Sequence, residues 1–116
     1  MASLVVVHMN GCPYCVEVTG GGSMLKHVRD LAAVYEVERS EPLAKWLDVK
    51  SFPTIFVDVP VEGTRSSLTF KFAGTRSPEA LRAFVREKLA QVRGLEKQLR
   101  LLGTEAGLRR AKKLRR

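Results

Sequence analysis

Apolar positions along this chain fall into two rhythms. Leu4-Val5-Val6-Val7 is a short, unbroken, β-branched run and predicts a strand over Ser3–His8 that is buried on both faces. Val34 to Glu38 predicts a second strand. Phe52 to Val57 predicts a third, with Pro53 near its start, where no central ladder bond is lost. Ser67 to Ala73 alternates Leu68, Phe70 and Phe72 with Thr69 and Lys71, which predicts a strand with two unlike faces, reached through a hairpin over residues 61–67.

Between the strands the spacing changes to that of helices. Pro13 suits a first helical turn, and that helix is expected to end near Thr19. Gly20-Gly21-Gly22 inside a helix would cost roughly 2–3 kcal/mol relative to alanines. The triple glycine reads either as a tolerated loop insertion or as a mobile segment beside a substrate groove. Ser23 caps a second segment, with Met24, Leu25, Val28 and Leu31 on one face. Pro42 opens a short helix with Leu43, Trp46 and Leu47 inward. Ser77-Pro78-Glu79 starts a closing helix whose buried stripe is Leu81, Phe84, Val85, Leu89 and Val92. The apolar spacing continues through Leu95, Leu99 and Leu102, so the helix is expected to reach about Leu102. Gly103 is expected to stop it, with Thr104 capping a separate basic segment, Glu105 to Arg116.

The order is strand, helix, strand, helix, strand, strand, helix. It predicts an α/β fold: a parallel pair joined by a right-handed crossover, and an antiparallel hairpin at one edge. A chain of 116 residues buries roughly 65% of its unfolded surface, enough for one core. Its 45% hydrophobic and 28% charged residues are near globular averages. No apolar run nears the ~20 residues of a membrane-spanning helix. The first residues show no secretory leader, so a cytoplasmic location is expected.

Charge divides the chain. Residues 1–93 hold 12 basic and 10 acidic side chains, and residues 94–116 hold 8 and 2. The reading is a near-neutral domain over 1–93 with a basic extension over 94–116, helical or disordered. Leu108 to Arg116 contains six basic residues in nine and no aromatic residue, so base stacking has no platform there. The extension reads as a solvated tail. The other readings are contact with nucleic acid, an acidic partner or an anionic membrane surface, or self-association through Leu95, Leu99 and Leu102.

Both cysteines stand in Cys12-Pro13-Tyr14-Cys15, straight after a buried strand and at a helix start. Free N–H groups and the helix dipole favour a thiolate there, and thiols in such motifs titrate at about 3.5–7.5. Positions i and i+3 share a face, so the two sulfurs can close a disulfide. The residue nearer the helix tip is expected to be the more exposed, which makes Cys12 the nucleophile and Cys15 the resolving thiol. A zinc site would need two more ligands, and only His8 and His27 exist. A structural disulfide over so short a loop would constrain little chain entropy. The pair could also be incidental. A redox dithiol, with no metal and no bound cofactor, is the reading adopted. Tyr14 is a candidate for shaping the surface beside Cys12, and His8 for stabilising its thiolate.

Over about residues 3–93 the chain resembles the thioredoxin-like superfamily. Cys12-Pro13-Tyr14-Cys15 is identical to the active-site tetrapeptide of dithiol glutaredoxins. Val49-Lys50-Ser51-Phe52-Pro53-Thr54-Ile55 is similar to the thioredoxin segment that bears a cis-proline. Phe70 to Gly74, followed by Ser77-Pro78-Glu79-Ala80-Leu81, is similar to the last strand and closing helix of thioredoxins. The resemblance implies a thioredoxin-like fold with a central four-stranded mixed sheet flanked by helices. It implies a glutaredoxin- or thioredoxin-like oxidoreductase acting on protein disulfides, with glutathione or a thioredoxin reductase as electron donor. Pro53 would be cis beside the cysteines, and Pro13, Tyr14, Phe52 and Pro53 would contact substrate. His8-Met9-Asn10-Gly11 stands where dithiol glutaredoxins usually carry a basic residue, and Val6 where thioredoxins carry a buried acid.

Overall fold

A computed structural model describes residues 2–12, 15, 18 and 24–114, with side chains as far as residue 102. Four strands form one sheet: β1 (Ser3–His8), β2 (Ala33–Glu38), β3 (Thr54–Pro60) and β4 (Ser67–Lys71), in the order β2-β1-β3-β4. The β-branched run makes β1 a central strand. It pairs parallel with β2, Val5 facing Tyr35, and antiparallel with β3, Val5 facing Phe56. β3 and β4 form the antiparallel hairpin, with Val57 opposite Phe70. The mixed sheet and the flanking helices are therefore as expected.

Alternation along β1 and β3 divides the core between the two faces. Leu4, Val6, Ile55, Val57 and Val59 point to one face and meet Met24, Leu25, Val28, Leu81, Val85 and Val92. Val7, with Val5 and Phe56, points to the other and meets Val37, Ala44 and Leu47. Leu4, Val6 and Val7 are all fully buried, the two-faced burial expected of this strand.

The closing helix, α2 (Pro78–Leu114), begins as its sequence dictates. The Ser77 hydroxyl accepts the Ala80 N–H at 3.1 Å, and the Ser77 carbonyl accepts the Leu81 N–H at 3.0 Å. The helix then runs for 37 residues without a break at Gly94 or at position 103. This corrects the expected stop. An interior glycine costs about 1 kcal/mol but does not terminate a helix, and the leucine, glutamate, alanine and arginine residues on both sides of position 103 are strong helix formers. Among the described side chains, Glu96 is the last buried one on the helix, and Leu99, Leu101 and Leu102 beyond it are exposed. No described helix is long and apolar enough to cross a membrane.

Three further expectations are corrected. The segment from Met24 is a 3₁₀ turn of four residues, Met24–His27, followed by turns, rather than a longer helix. Its Val28 and Leu31 N–H groups bond carbonyls three residues back, which is tighter than α geometry. A two-pronged Arg82–Asp30 ion pair, at 2.7 and 2.8 Å, ties it to α2. The Pro42 helix, α1 (Pro42–Trp46), is only one turn, and it buries Ala44 while Leu47 just past its end is half-buried. Leu43 is 43% exposed and Trp46 81% exposed, so neither points inward as the spacing predicted. In so short a helix, a rotation of one residue moves its whole apolar face. β4 ends at Lys71, two residues early; the Phe72 N–H still bonds the Ile55 carbonyl of β3 at 2.8 Å, and its ring packs on Phe84 with centroids 5.1 Å apart. The triple glycine, Thr19 and Ser23 lie outside the described residues.

Candidate active site

β1 ends at His8, at the C-terminal end of a central strand. The turn that follows ends on Cys12, whose N–H bonds the Met9 carbonyl at 3.2 Å, with Gly11 at the positive φ that this turn requires. The Cys15 N–H bonds the Cys12 carbonyl at 3.1 Å, and Cys15 and Val18 are helical. Cys12 and Cys15 are not joined in a disulfide. Their side chains lie within hydrogen-bonding reach of each other, as the i, i+3 spacing predicts.

Neither sulfur is exposed. Cys12 is 7% exposed and Cys15 3%, so the order expected from the helix tip holds but the predicted openness of Cys12 does not. The reason lies across the sheet, where the Cys12 Sγ donates to the Phe52 carbonyl at 3.8 Å. The Phe52–Pro53 peptide is cis and follows directly. Segments 40 residues apart in sequence thus meet at the two sulfurs.

The two thiols have different surroundings. The Cys15 Sγ accepts the Met9 N–H at 3.4 Å. Burial pushes the Cys15 thiol up from its ordinary value and is the largest influence on it. The Met9 N–H pulls the other way, the Cys12 side chain reinforces the rise, and the more distant positive charge of Arg76 opposes it. Met9 also accepts the Arg39 guanidinium on its Sδ at 3.4 Å, so it links a surface cation to the inner thiol. Its backbone role has no residue-type signal, since any N–H at that turn position could make the bond.

Of the other candidates, His8 is half-buried at the end of β1, and its carbonyl accepts the Arg39 N–H at 2.9 Å. His27 lies in the 3₁₀ turn, with its carbonyl bonded to Arg82. Among the described residues no group of three or more His, Cys, Asp and Glu side chains converges as a metal site would need. Pro13 and Tyr14 lie outside the described residues. A groove of about 190 Å³ opens beside Pro53 and is lined also by Ser51, Thr54, Lys71, Phe72, Gly74 and Arg76. Lys71 comes from the end of β4 and Arg76 from the loop after it, about 60 residues after the cysteines. Only the register of β3 on β4 brings them here.

The chain resembles solved thioredoxin-fold structures. The Trx4 domain of ERdj5 superposes with a TM-score of 0.67 at 12% identity, covering 77% of this chain and 80% of that one. A thioredoxin from Thermus thermophilus gives 0.58 at 20% identity, covering 78% and 75%. The J-Trx1 fragment of ERdj5 gives 0.58 at 24% identity and covers 75% of this chain, which spans 41% of that fragment. No protein-family model matches the sequence, and no curated protein matches it significantly. These likenesses show the fold: the four-stranded mixed sheet and its helices form a thioredoxin fold.

Proposed function

We propose that this chain is a thiol–disulfide oxidoreductase acting on protein disulfides through Cys12 and Cys15. The observation that carries the reading is the asymmetric thiol pair, with both sulfurs within reach of each other and only Cys12 facing the Phe52 carbonyl beside the groove. In the first step the Cys12 thiolate attacks one sulfur of a substrate disulfide. A Cys12–substrate bond forms, the substrate S–S bond breaks, and the second substrate sulfur leaves as a thiolate that takes up a proton. Cys15 then gives up its proton and attacks Cys12. The Cys12–Cys15 bond forms and the remaining substrate thiol departs. Two electrons have passed to the substrate, and a thiol donor must return them.

The donor we infer is glutathione or a thioredoxin reductase, with the glutaredoxin-type tetrapeptide favouring glutathione, and the setting we infer is the cytoplasm. Reduction of a protein disulfide by wild type, Cys12→Ser and Cys15→Ser tests the reading. Wild type should turn over. Cys12→Ser should be inactive, and Cys15→Ser should accumulate a covalent mixed disulfide visible by mass spectrometry. Full activity of Cys12→Ser overturns it. Assays coupled to glutathione reductase and to thioredoxin reductase separate the two donors.

A second reading concerns the extension. α2 continues past Glu96, the last buried residue among its described side chains, into a stretch with an excess of positive charge. In this reading the thioredoxin-like body is an adaptor whose basic end holds a nucleic acid or an acidic partner. Removing residues 95–116 would cut into the Glu96 anchor, so the test is replacement of the basic residues after position 108 by glutamine. Loss of low-salt nucleic-acid binding with turnover retained supports recruitment, and absence of binding by the intact chain removes it.

A further inference from the structure

Six of the seven large apolar side chains that are exposed among the described residues fall in two places. Tyr35, Leu43 and Trp46 border a groove of about 810 Å³, on the face of the sheet where the one-turn helix α1 packs. Val5 and Phe56 form its floor and are only half-buried, because α1 is too short to cover them. Leu99, Leu101 and Leu102 stand on α2 beyond Glu96. Single exposed apolar residues are ordinary, but contiguous patches mark contacts. The two places also differ in charge. Asp58 and Glu36 line the groove, whereas residues 94–116 hold 8 basic and 2 acidic side chains. We propose that the two places meet in a dimer, with the projecting end of α2 of each copy lying in the groove of the other.

The contact has to be between copies. α2 packs through Leu81, Val85 and Val92 on the opposite face of the sheet and is unbroken to Leu114, so it cannot turn back into its own groove. Both features lie at one end of the sheet. The Glu96 carboxylate accepts the Glu62 N–H in the β3–β4 hairpin, so α2 leaves the body there. Ser3, Asp58 and Ser67 form the mouth of the groove at that same end, with Ser3 opposite Asp58 and Ser67 opposite Pro60. The Ser67 and Thr69 hydroxyls, at 2.9 and 2.8 Å, fix the Asp58 carboxylate where a basic helix would enter. A half-turn about an axis in the plane of the sheet sets two copies end to end, and each helix then passes over the open face of the other. From Glu96 to Leu114 the helix rises roughly 27 Å, against roughly 23 Å for the seven residues of β3. The cysteines follow His8 at the other end of β1, so the exchange leaves them open. A helix laid in an open groove, with no deep pocket for an anchor, gives weak association, with a Kd of about 10–100 µM. Chemical denaturation at about 1 µM then follows the monomer.

Trp46 is the single tryptophan of the chain, so its fluorescence reports on the groove. The full chain, kept reduced so that no intermolecular disulfide contributes, is followed by sedimentation velocity from about 1 to 300 µM, a range that brackets the expected Kd. The mass should rise from monomer to dimer and no further, and Trp46 emission should shift to shorter wavelength over the same range. Salt at about 0.5 M should weaken the association several-fold. Asp58→Lys should weaken it by about tenfold, and so should glutamine in place of the basic residues after position 108. Leu102→Gln with Leu108→Gln should do the same from the apolar side, and circular dichroism verifies that each variant is folded. A photo-cross-linking benzoylphenylalanine at position 108 should join, within the dimer, to a fragment that contains Trp46 or residues 67–69. A monomer with unshifted Trp46 emission at the highest concentration overturns the proposal. Association that survives the changes at the end of α2 overturns it too, since groove would then meet groove. So does association that survives Asp58→Lys with cross-links from position 108 to α2 of the other copy, which would pair the helix ends as a coiled coil. Assemblies larger than a dimer overturn the reciprocal exchange.

Discussion

The backbone N–H of Met9 points at the Cys15 sulfur from 3.4 Å, in the turn that leads from β1 to the thiols. An N–H donor favours a thiolate, yet burial outweighs it and the Cys15 thiol is pushed up from its ordinary value of 9.0. Cys15 should therefore stay protonated at neutral pH until a mixed disulfide has formed. In Cys12→Ser, alkylation of Cys15 should be several-fold slower at pH 7 than that of an unfolded control peptide, and its rate should rise steeply only above pH 9. Iodoacetamide labelling followed by mass spectrometry measures this. An inflection near neutrality would contradict it.

A second relationship bears on stability. Glu96, 3% exposed, accepts the Glu62 N–H at 2.6 Å and the Arg93 guanidinium at 3.0 Å. The bond from Glu62 is the larger of the causes that hold the carboxyl below its ordinary 4.5. A carboxyl whose folded value is depressed binds protons more weakly when folded than when unfolded. Its contribution is then present above about pH 4.5 and is lost as the pH falls through the folded value. The Tm of wild type should exceed that of Glu96→Gln at pH 7, and the gap should close steadily below pH 4.5. A gap that widens in acid would reverse the assignment. The bond also joins the β3–β4 hairpin to α2, so proteolysis in residues 61–66 should be faster in the variant.

The same helix offers a contrast between packed and unpacked leucines. Leu81 is fully buried against β3 and the 3₁₀ turn, while Leu102 is 58% exposed. Leu81→Ala should cost about 2–5 kcal/mol through lost burial and a residual cavity. Leu102→Ala should lie within about 0.5 kcal/mol of wild type. Chemical denaturation of the two variants measures both. A large loss at Leu102 would mean that the projecting end of α2 is packed in solution.

Much of this architecture is legible in the sequence. Where a pattern was dictated by burial on a two-residue period, as in Leu4 to Val7 and Ile55 to Val59, strand, pairing and core followed. Ser77-Pro78 fixed a helix start because the capping chemistry is local. Trp46 and Leu43 were misplaced because a one-turn helix has too few positions to define a face. Position 103 was misread because a glycine signals a helix end only when the chain needs a left-handed residue there. The cysteine pair was legible as a motif, but Lys71, Arg76 and the Met9 N–H were not, since each reaches the site through strand register or a backbone group rather than through spacing. Pro13 and Tyr14 remain candidates on sequence alone.

Two glycines carry the last expectation, and they should respond in opposite directions. Gly94 is in the middle of α2, and a methyl group added there meets nothing within 4 Å. Alanine at that position removes unfolded-state freedom and adds helix propensity, so Gly94→Ala should stabilise by about 0.5–1 kcal/mol. Gly74 sits in the groove loop, where an added Cβ would come within 2.9 Å of the Phe72 ring. That ring is held against Phe84, so it cannot simply swing aside. Gly74→Ala should destabilise by about 1–3 kcal/mol through overpacking. It should also narrow the cleft between Pro53 and Arg76 and raise KM for peptide disulfides more than for a small one. Thermal unfolding and substrate kinetics on the two variants check both halves. Stabilisation by Gly74→Ala would mean that Phe72 is free to move, and that the wall of the cleft is softer than its packing indicates.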